Sequence, residues 1–296
     1  MTREFKSVIM LLISAIIWGF SYVAQALGLQ EVGPFTFNTA RSFVACIFLW
    51  LTYLFFKKTS NYYKNEVFSL KSTIIFGSLC GLLMTVATNF QQMGIIGTTT
   101  GKAGFLTATY IVLIPIFDFF LGKKIKPRII LCVFFAMVGT YLLSVKENFT
   151  VNGYDLLVLF SAIFFALHIM VMTKLPNDCQ AILASLTQFF VVMLVSLVIA
   201  IFKEEIVLSS LKAAIPAILF VGVLSSGVGF TLQMIAIKDI DPTIGSLVSS
   251  LESVFAAVGG WMILGQKMNL REITGCIIIL VVTIIAQLPS KKKFYQ

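Results

Sequence analysis

One carboxylate lies near the middle of an apolar run that is long enough to cross a bilayer. The run extends over residues 243–264, and Glu252 is the only acidic residue within it. A helix needs roughly 20 apolar residues to span the hydrocarbon core, so we expect one continuous helix here. A charge at the bilayer centre costs on the order of 2.5–3.5 kcal/mol on insertion scales and therefore faces protein or water. Glu252 is the first candidate to bind a proton, a cationic substrate or an amino group.

Other ionisable side chains also lie within apolar runs. Arg41 could balance the carboxylate of a substrate, or it could reach the membrane interface and bond backbone carbonyls. His168, the single histidine, titrates near neutrality, which makes it a candidate for proton coupling as well as a candidate for simple packing. Asp118 lies near the end of its run, where it can pair with Lys123 or Lys124.

Neutral polar and aromatic side chains within the apolar runs complete a candidate binding set. Trp18 and Tyr22 are one helical turn apart and can share a face. The same residue types can instead join helices by hydrogen bonds, which are worth roughly 0.6 kcal/mol each in membranes. With Glu252 and His168, and with Arg41 as the charge-compensating residue, the candidates are Trp18, Tyr22, Thr85, Thr88, Asn89, Thr109, Tyr110, Thr231 and Gln233.

The composition is that of a helical membrane protein. The chain has 296 residues, of which 58% are hydrophobic and 12% charged, and its mean hydropathy is +0.98. Soluble proteins contain about 25% charged residues. The net charge of +9 lies in short loops between apolar runs, which indicates membrane topology and no nucleic-acid partner. Five scattered cysteines without a CxxC pair, beside a single histidine, predict no metal site, no cofactor and no disulfide framework.

Apolar runs separated by short polar loops predict ten membrane-spanning helices. Spanning segments must pair their own backbone polar groups, so they should be helical. The N-terminal segment and every second loop after it contain more Lys and Arg than the remaining loops. Because the cytoplasmic side of a membrane protein is the richer in these residues, both termini are predicted to be cytoplasmic. The predicted spans are 7–27, 35–56, 72–93, 102–121, 127–145, 154–174, 180–202, 213–237, 243–264 and 270–288.

The second half of the chain repeats the first. Residues 120–142 align without gaps on residues 263–285 at an offset of 143, and residues 14–23 align on 161–170 at an offset of 147. Five spans are an odd number, so the second unit must enter the membrane inverted, as in many secondary transporters. We therefore expect an all-α protein of two inverted five-helix repeats, residues 1–147 and 148–296. The offsets pair Thr109 with Glu252, Ser21 with His168, and Arg41 with Gln188.

Short motifs accompany the repeat. Trp18-Gly19 lies in the first span, and Leu121-Gly122 and Leu264-Gly265 occupy the same place in the two units. With the organisation of five plus five spans, these motifs resemble the drug/metabolite transporter superfamily, in its ten-helix EamA-type branch. The resemblance implies small organic metabolites as cargo and a central cavity lined mainly by spans 1, 3, 4, 6, 8 and 9. It also implies a peripheral second span, which favours the structural role for Arg41.

We therefore expect a secondary-type transporter of small organic metabolites, in the cell membrane, that works by alternating access around a midplane cavity. An exporter of amino acids or of amphipathic or cationic compounds is the favoured form. Its partners would be the small-molecule substrate, the lipid bilayer and, as a candidate coupling ion, the proton. A passive channel or a membrane scaffold is the alternative. An enzyme is not expected, because the single histidine has no acid partner at helical spacing.

Overall fold

The computed structural model describes residues 3–98, 100–144, 151–264 and 268–288 of the chain. The regular elements within those ranges are all helical, which confirms the predicted all-α class. Nine of the described helical segments are long and apolar enough to cross a bilayer. A shorter apolar helix, Pro127–Leu143, lies where the fifth span was predicted. The described chain is thus a multi-pass helical bundle.

Fourteen α-helices make up the described part of the chain. The helices of the first half are α1 (Arg3–Gly28), α2 (Pro34–Thr59), α3 (Asn61–Asn65), α4 (Leu70–Ile95), α5 (Thr100–Ala108), α6 (Tyr110–Phe120) and α7 (Pro127–Ser144). Those of the second half are α8 (Gly153–Met172), α9 (Ala181–Lys203), α10 (Leu208–Leu219), α11 (Phe230–Ala236), α12 (Pro242–Ser249), α13 (Glu252–Leu264) and α14 (Leu270–Gln287). A π-helical stretch, Phe220–Gly229, joins α10 to α11, and a single 3-10 turn, Ile237–Asp239, follows α11.

Two of the spans are broken near their middle. The break between α5 and α6 falls at Thr109, whose hydroxyl donates to the carbonyl oxygen of Leu106 at 2.6 Å. The break between α12 and α13 follows Ser250, whose hydroxyl donates to the carbonyl oxygen of Leu247 at 2.7 Å. Hydroxyls that bond their own backbone in this way compete with the helix and bend it. The continuous helix expected over residues 243–264 is therefore wrong, because the chain breaks directly before Glu252.

Glycines let several helices approach at backbone distance. A Cβ atom at Gly19 would lie 2.7 Å from the backbone nitrogen of Ala256, so α1 and α13 are in close contact. A Cβ atom at Gly275 would lie 2.7 Å from the backbone nitrogen of Leu143, where α14 packs on α7. Small residues serve the same purpose in membrane helices generally. The Gly19 contact holds the half-helix that carries Glu252 against the first span.

The Leu121-Gly122 motif ends α6. Gly122 has a φ of 77°, in the left-handed region that glycine adopts without a steric penalty. Directly after it, Lys123 extends its Nζ back to Asp118 Oδ1 at 2.6 Å, one of the two pairings that the sequence allowed. The glycine of the corresponding Leu264-Gly265 motif lies outside the described residues.

Buried polar contacts join the helices at the end of the bundle where α1 connects to α2. Asn38 Nδ2 of α2 donates to Asn89 Oδ1 of α4 at 2.7 Å, and Asn89 Nδ2 donates to Ser196 Oγ of α9 at 3.0 Å. Nearby, the carboxylate of Glu204 accepts from the backbone nitrogens of Phe35 and Thr36 at 2.9 and 2.7 Å. These nitrogens belong to the first turn of α2, which has no partners for them within the helix.

Candidate solute-binding cavity

A cavity lies between the helices of the described chain, next to both helix breaks. About 550 Å³ of space between the lining residues, including space open to solvent, is free of protein atoms. Every side chain that lines it is buried, with at most 9% exposure. The lining residues are Trp18, Ser21, Tyr22, Gln25, Arg41, Thr88, Gln91, Thr107, Tyr110, Phe165, His168, Ile169, Ser225, Phe230, Gln233 and Glu252.

Most of the candidates chosen from the sequence meet in this cavity. They come from the first, second, third, fourth, sixth, eighth and ninth predicted spans, which are far apart along the chain. The structure brings together Trp18, Tyr22, Arg41, Thr88, Tyr110, His168, Gln233 and Glu252. These side chains combine opposite charges, hydrogen-bonding groups and aromatic rings. Such a set can hold a small organic solute in one orientation.

Four candidates do not line the cavity. The hydroxyls of Thr85 and Thr109 donate to carbonyls of their own helical turns, at Gly81 and Leu106. Asn89 belongs to the hydrogen-bonded contact between α2, α4 and α9. Thr231 is buried in α11 and lies outside the lining set. The structure thus gives Thr85, Asn89 and Thr109 contacts within the helical framework, while the Thr231 hydroxyl has no partner among the described residues.

Glu252 is the first residue of α13 and faces the cavity with 5% exposure. Its Oε1 accepts a hydrogen bond from the Tyr110 hydroxyl at 3.3 Å. A helix N-terminus favours a negative charge, because the aligned peptide dipoles leave partial positive charge there. The carboxylate is therefore held by a neutral donor and a helix end, and no cation of the described residues forms an ion pair with it.

Next to Glu252, an amide and two hydroxyls form a second polar group on the wall. Gln91 Nε2 lies 3.0 Å from Thr107 Oγ1 and 3.5 Å from the Tyr22 hydroxyl. The three side chains belong to α4, α5 and α1, so this contact ties three spans together at the cavity. Hydrogen bonds of this kind fix the positions of wall residues before any solute binds.

Arg41 is buried, with 2% exposure, and lines the cavity from α2. Its Nε and Nη2 have no hydrogen-bond partner within the described ranges. The expected peripheral position, with the guanidinium bonded to backbone carbonyls, is not what the structure shows. A guanidinium is planar and presents its donors in a fork that matches a carboxylate. Arg41 thus offers unpaired donors to the cavity.

His168 belongs to the second repeat, at the position that Ser21 occupies in the first. Its Nε2 is 2.7 Å from Gln188 Oε1, while its Nδ1 and Gln188 Nε2 lack partners among the described residues. With Gln188 Oε1 as acceptor, Nε2 carries the proton and Nδ1 is left as an acceptor facing its surroundings. His168 can therefore accept a hydrogen bond from a solute or water without a change of tautomer.

Aromatic rings form the apolar part of the wall. The rings of Trp18 and Phe230 are 4.8 Å apart between centroids, and Phe230 also lies 6.2 Å from the His168 ring. The indole Nε1 of Trp18 has no hydrogen-bond partner within the described chain. A buried indole N–H usually finds a partner, but this one lies against the chain at Gly229, where a Cβ atom would come within 2.8 Å of it.

Several lining residues were missed from the sequence although a signal for them existed. Ser21 and Gln25 continue the face of Trp18 and Tyr22 at helical spacing. Phe165 and Ile169 occupy the positions of Trp18 and Tyr22 at the offset of 147, so the two repeats line the cavity with matching positions. Ser225 and Phe230 carried no such signal, because the π-helical stretch changes the periodicity of the eighth span.

Comparison with known proteins places the whole chain among transporters. The model of the EamA-like transporter family matches residues 5–145 and again residues 152–287. An "Uncharacterized transporter" of Archaeoglobus fulgidus is 28% identical over 278 residues, which cover 93% of this chain and 83% of the relative. "Uncharacterized transporter YoaV" of Bacillus subtilis is 25% identical over 274 residues, covering 89% and 90%.

A solved structure has the same fold. It is described as "Crystal structure of protein" and superposes with a TM-score of 0.74 over 96% of this chain and 97% of the other. The two sequences are 15% identical, so the likeness concerns the fold alone.

Proposed function

The chain belongs to the EamA-like transporter family, and we propose that it is a secondary-type transporter, in the cell membrane, that carries small organic solutes through the central cavity. One observation carries the proposal. A cavity lined by buried side chains holds a carboxylate and a guanidinium without an ion-pair partner among the described residues, next to the breaks in two spans. Broken helices at the bilayer midplane are a common way to build transport sites.

The proposed architecture is ten spans in two inverted repeats, residues 1–147 and 148–296, with both termini in the cytoplasm. The family model matches the chain twice, over segments that fit this division. The helix Pro127–Leu143 would then be the fifth span. The breaks after Thr109 and Ser250 support a repeat, since both hydroxyls bond the carbonyl three residues earlier. The sequence offset matched Thr109 with Glu252, two residues beyond Ser250.

The proposed mechanism is alternating access around the cavity. One repeat would rock against the other, so that a bound solute is released on the opposite side. Glu252 would recognise a positive group or carry a proton, and export is the favoured direction. Candidate solutes are amino acids and amphipathic or cationic compounds. The other lining side chains, Arg41 and His168 among them, would set the orientation and the shape of the solute.

A passive channel is the second candidate, and the burial of the lining residues favours the carrier over it. An open pore would leave a continuous row of exposed polar residues, whereas the lining residues here are all buried. A scaffold would need no cavity with unpaired charges. We also infer that the chain is not itself an enzyme, because the family relationship accounts for the cavity by transport.

Flux into proteoliposomes tests the proposal. Purified protein is reconstituted, and uptake of radiolabelled leucine, methionine, phenylalanine and tetraphenylphosphonium is measured against concentration. We expect saturable flux for at least one compound, lost in Glu252→Gln but kept in Glu31→Gln, whose side chain is exposed. Flux that rises linearly with concentration would indicate a channel. No protein-dependent flux of any probe would contradict the proposal.

A further inference from the structure

We infer that the cargo is a zwitterion whose carboxylate binds Arg41 and whose ammonium group binds Glu252. The inference rests on the proposed transport function and narrows its substrate from small organic solutes to one charge type. It excludes simple cations and simple anions as the best-bound cargo. The argument depends on three features of the cavity, namely the unpaired guanidinium, the carboxylate and the apolar wall beside them.

The guanidinium provides the first step. Arg41 is buried and lines the cavity, and its Nε and Nη2 lack any hydrogen-bond partner among the described residues. A buried cation without a counter-charge is strongly unfavourable, so a cavity that retains one is built to receive an anion. Nε and a terminal nitrogen of guanidinium form the fork that binds both oxygens of a carboxylate.

The carboxylate provides the second step. Glu252 begins α13, where the helix end favours its negative charge, and Tyr110 donates to Oε1. A carboxylate has about four positions for incoming hydrogen bonds, so one hydroxyl leaves room for a donor from the cavity. An ammonium group brings three donors and the opposite charge. An ammonium group of the solute therefore suits Glu252, and a carboxylate of the same solute suits Arg41.

The two charges serve one ligand because they face one space without neutralising each other. Arg41 comes from α2, which packs on α9 and on the π-helical stretch, whereas Glu252 comes from α13, which packs on α1 and α5. No ion pair joins the two side chains in the described structure. A simple cation would leave Arg41 unpaired, and a simple anion would leave Glu252 unpaired. A zwitterion neutralises both.

The rest of the wall determines what the zwitterion carries. Trp18, Phe165 and Phe230 line the same cavity, and the rings of Trp18 and Phe230 are in contact. Aromatic walls bind apolar groups by burying their surface. The best cargo therefore has an apolar side chain next to its charged groups.

Matched compounds test the charge requirement on the unaltered protein. Thermal stabilisation is titrated with leucine, methionine and phenylalanine, with their decarboxylated amines, and with their deaminated acids. A ligand that binds only the folded protein raises its melting temperature by mass action, so each titration yields an apparent Kd. We expect at least one amino acid to bind about tenfold or more tightly than both its amine and its acid, as charge-assisted hydrogen bonds require.

Two variants then assign each charge to its partner. In Arg41→Gln, the apparent Kd of the amino acid should lie within about threefold of that of its amine, while the amino acid still binds more tightly than its acid. In Glu252→Gln, the apparent Kd of the amino acid should lie within about threefold of that of its acid, while the amino acid still binds more tightly than its amine. Arg41→Lys keeps the charge but loses the fork, and it should recover part of the lost advantage. Each variant is first checked for a monodisperse elution profile and a cooperative melting transition.

The outcomes separate this inference from the proposed function. An amine or acid that binds as tightly as its amino acid overturns the zwitterion and leaves transport intact. If Arg41→Gln weakens the binding of all compounds equally, the guanidinium has a structural role, and the inference is also overturned. If none of the nine compounds stabilises the protein, an apolar zwitterion is excluded. The transport proposal is then decided separately by flux of tetraphenylphosphonium.

Discussion

The hydroxyl of Tyr110 donates to Glu252 Oε1 across 3.3 Å of cavity wall, and each of these residues begins the second half of a broken span. The contact joins the two halves of the chain at the level of both breaks. It also means that the carboxylate and the breaks share one location, so that a movement of either half-helix changes the surroundings of Glu252.

Removing that hydroxyl should weaken binding without removing the carboxylate. Tyr110→Phe keeps the buried ring and deletes the donor to Glu252. A hydrogen bond to a charged group contributes about 1.5–3 kcal/mol to stability, but this one exists before a solute binds, so its loss acts on binding only through the position of the carboxylate and should weaken apparent Kd by about threefold. The measurement is a thermal-shift titration with the best amino acid. Tyr154→Phe, whose ring is 46% exposed, is the control and should leave Kd unchanged.

Asn89 and Gln91 are two residues apart in α4 but should respond differently. Asn89→Ala breaks the contact with Asn38 and Ser196, and each interhelical bond is worth roughly 0.6–1.7 kcal/mol, so the melting temperature should fall. Gln91→Ala also breaks interhelical bonds and should lower the melting temperature, but because Gln91 lines the cavity it should weaken apparent Kd as well. Melting curves with and without ligand compare the two variants. If Asn89→Ala weakens binding at an unchanged melting temperature, Asn89 takes part in solute binding and the framework role is contradicted.

The contact between α1 and α13 should not tolerate a methyl group. A Cβ atom at Gly19 would lie 2.5 Å from the Cβ of Phe255, so Gly19→Ala must push the half-helix of Glu252 outward. Overpacking of this kind costs about 1–3 kcal/mol. We expect a lower melting temperature and reduced flux in proteoliposomes. Gly104→Ala adds the same atom where nothing lies within 4 Å and should leave both unchanged.

The two ion pairs of the described structure should differ in their effect on stability. Asp155 is fully buried at the start of α8 and is bonded to Lys102, Thr98 and the backbone of Asn152. Asp155→Asn removes the negative charge that pairs with the largely buried Lys102, and it should lower the free energy of unfolding by about 2–3 kcal/mol.

Asp118→Asn is the matched comparison. It breaks the pair with Lys123, whose side chain is 46% exposed and can turn to water, so its effect should be under about 1 kcal/mol. Thermal melting in one detergent measures both variants. An equal loss of stability in the two would show that burial of the lysine does not govern the effect.

The sequence predicted the helices and much of the cavity because both depend on local pattern. The length of an apolar run predicts a spanning helix. An ionisable residue within such a helix, like Glu252, costs free energy if it faces lipid, so it is expected to face protein or water. Helical spacing linked Trp18 with Tyr22, and both line the cavity. Such signals need no knowledge of how the helices pack.

What could not be predicted depends on packing between helices. Asn89 and Thr88 are neighbours of similar polarity, yet only the packing of α2 and α9 turns Asn89 toward a framework contact. Arg41 was expected at the periphery, and only the three-dimensional arrangement brings it to the cavity. The break before Glu252 arises from serine hydroxyls that bond their own backbone, a choice that apolar periodicity does not reveal.

The near-complete burial of the lining side chains affects how a solute is taken up. No lining residue is more than 9% exposed, so the walls lie almost in contact with each other in this conformation. A solute of the size of an amino acid therefore enters only when the helices around the cavity separate. Loading of the cavity then depends on a movement of the bundle as well as on the contacts that the walls offer.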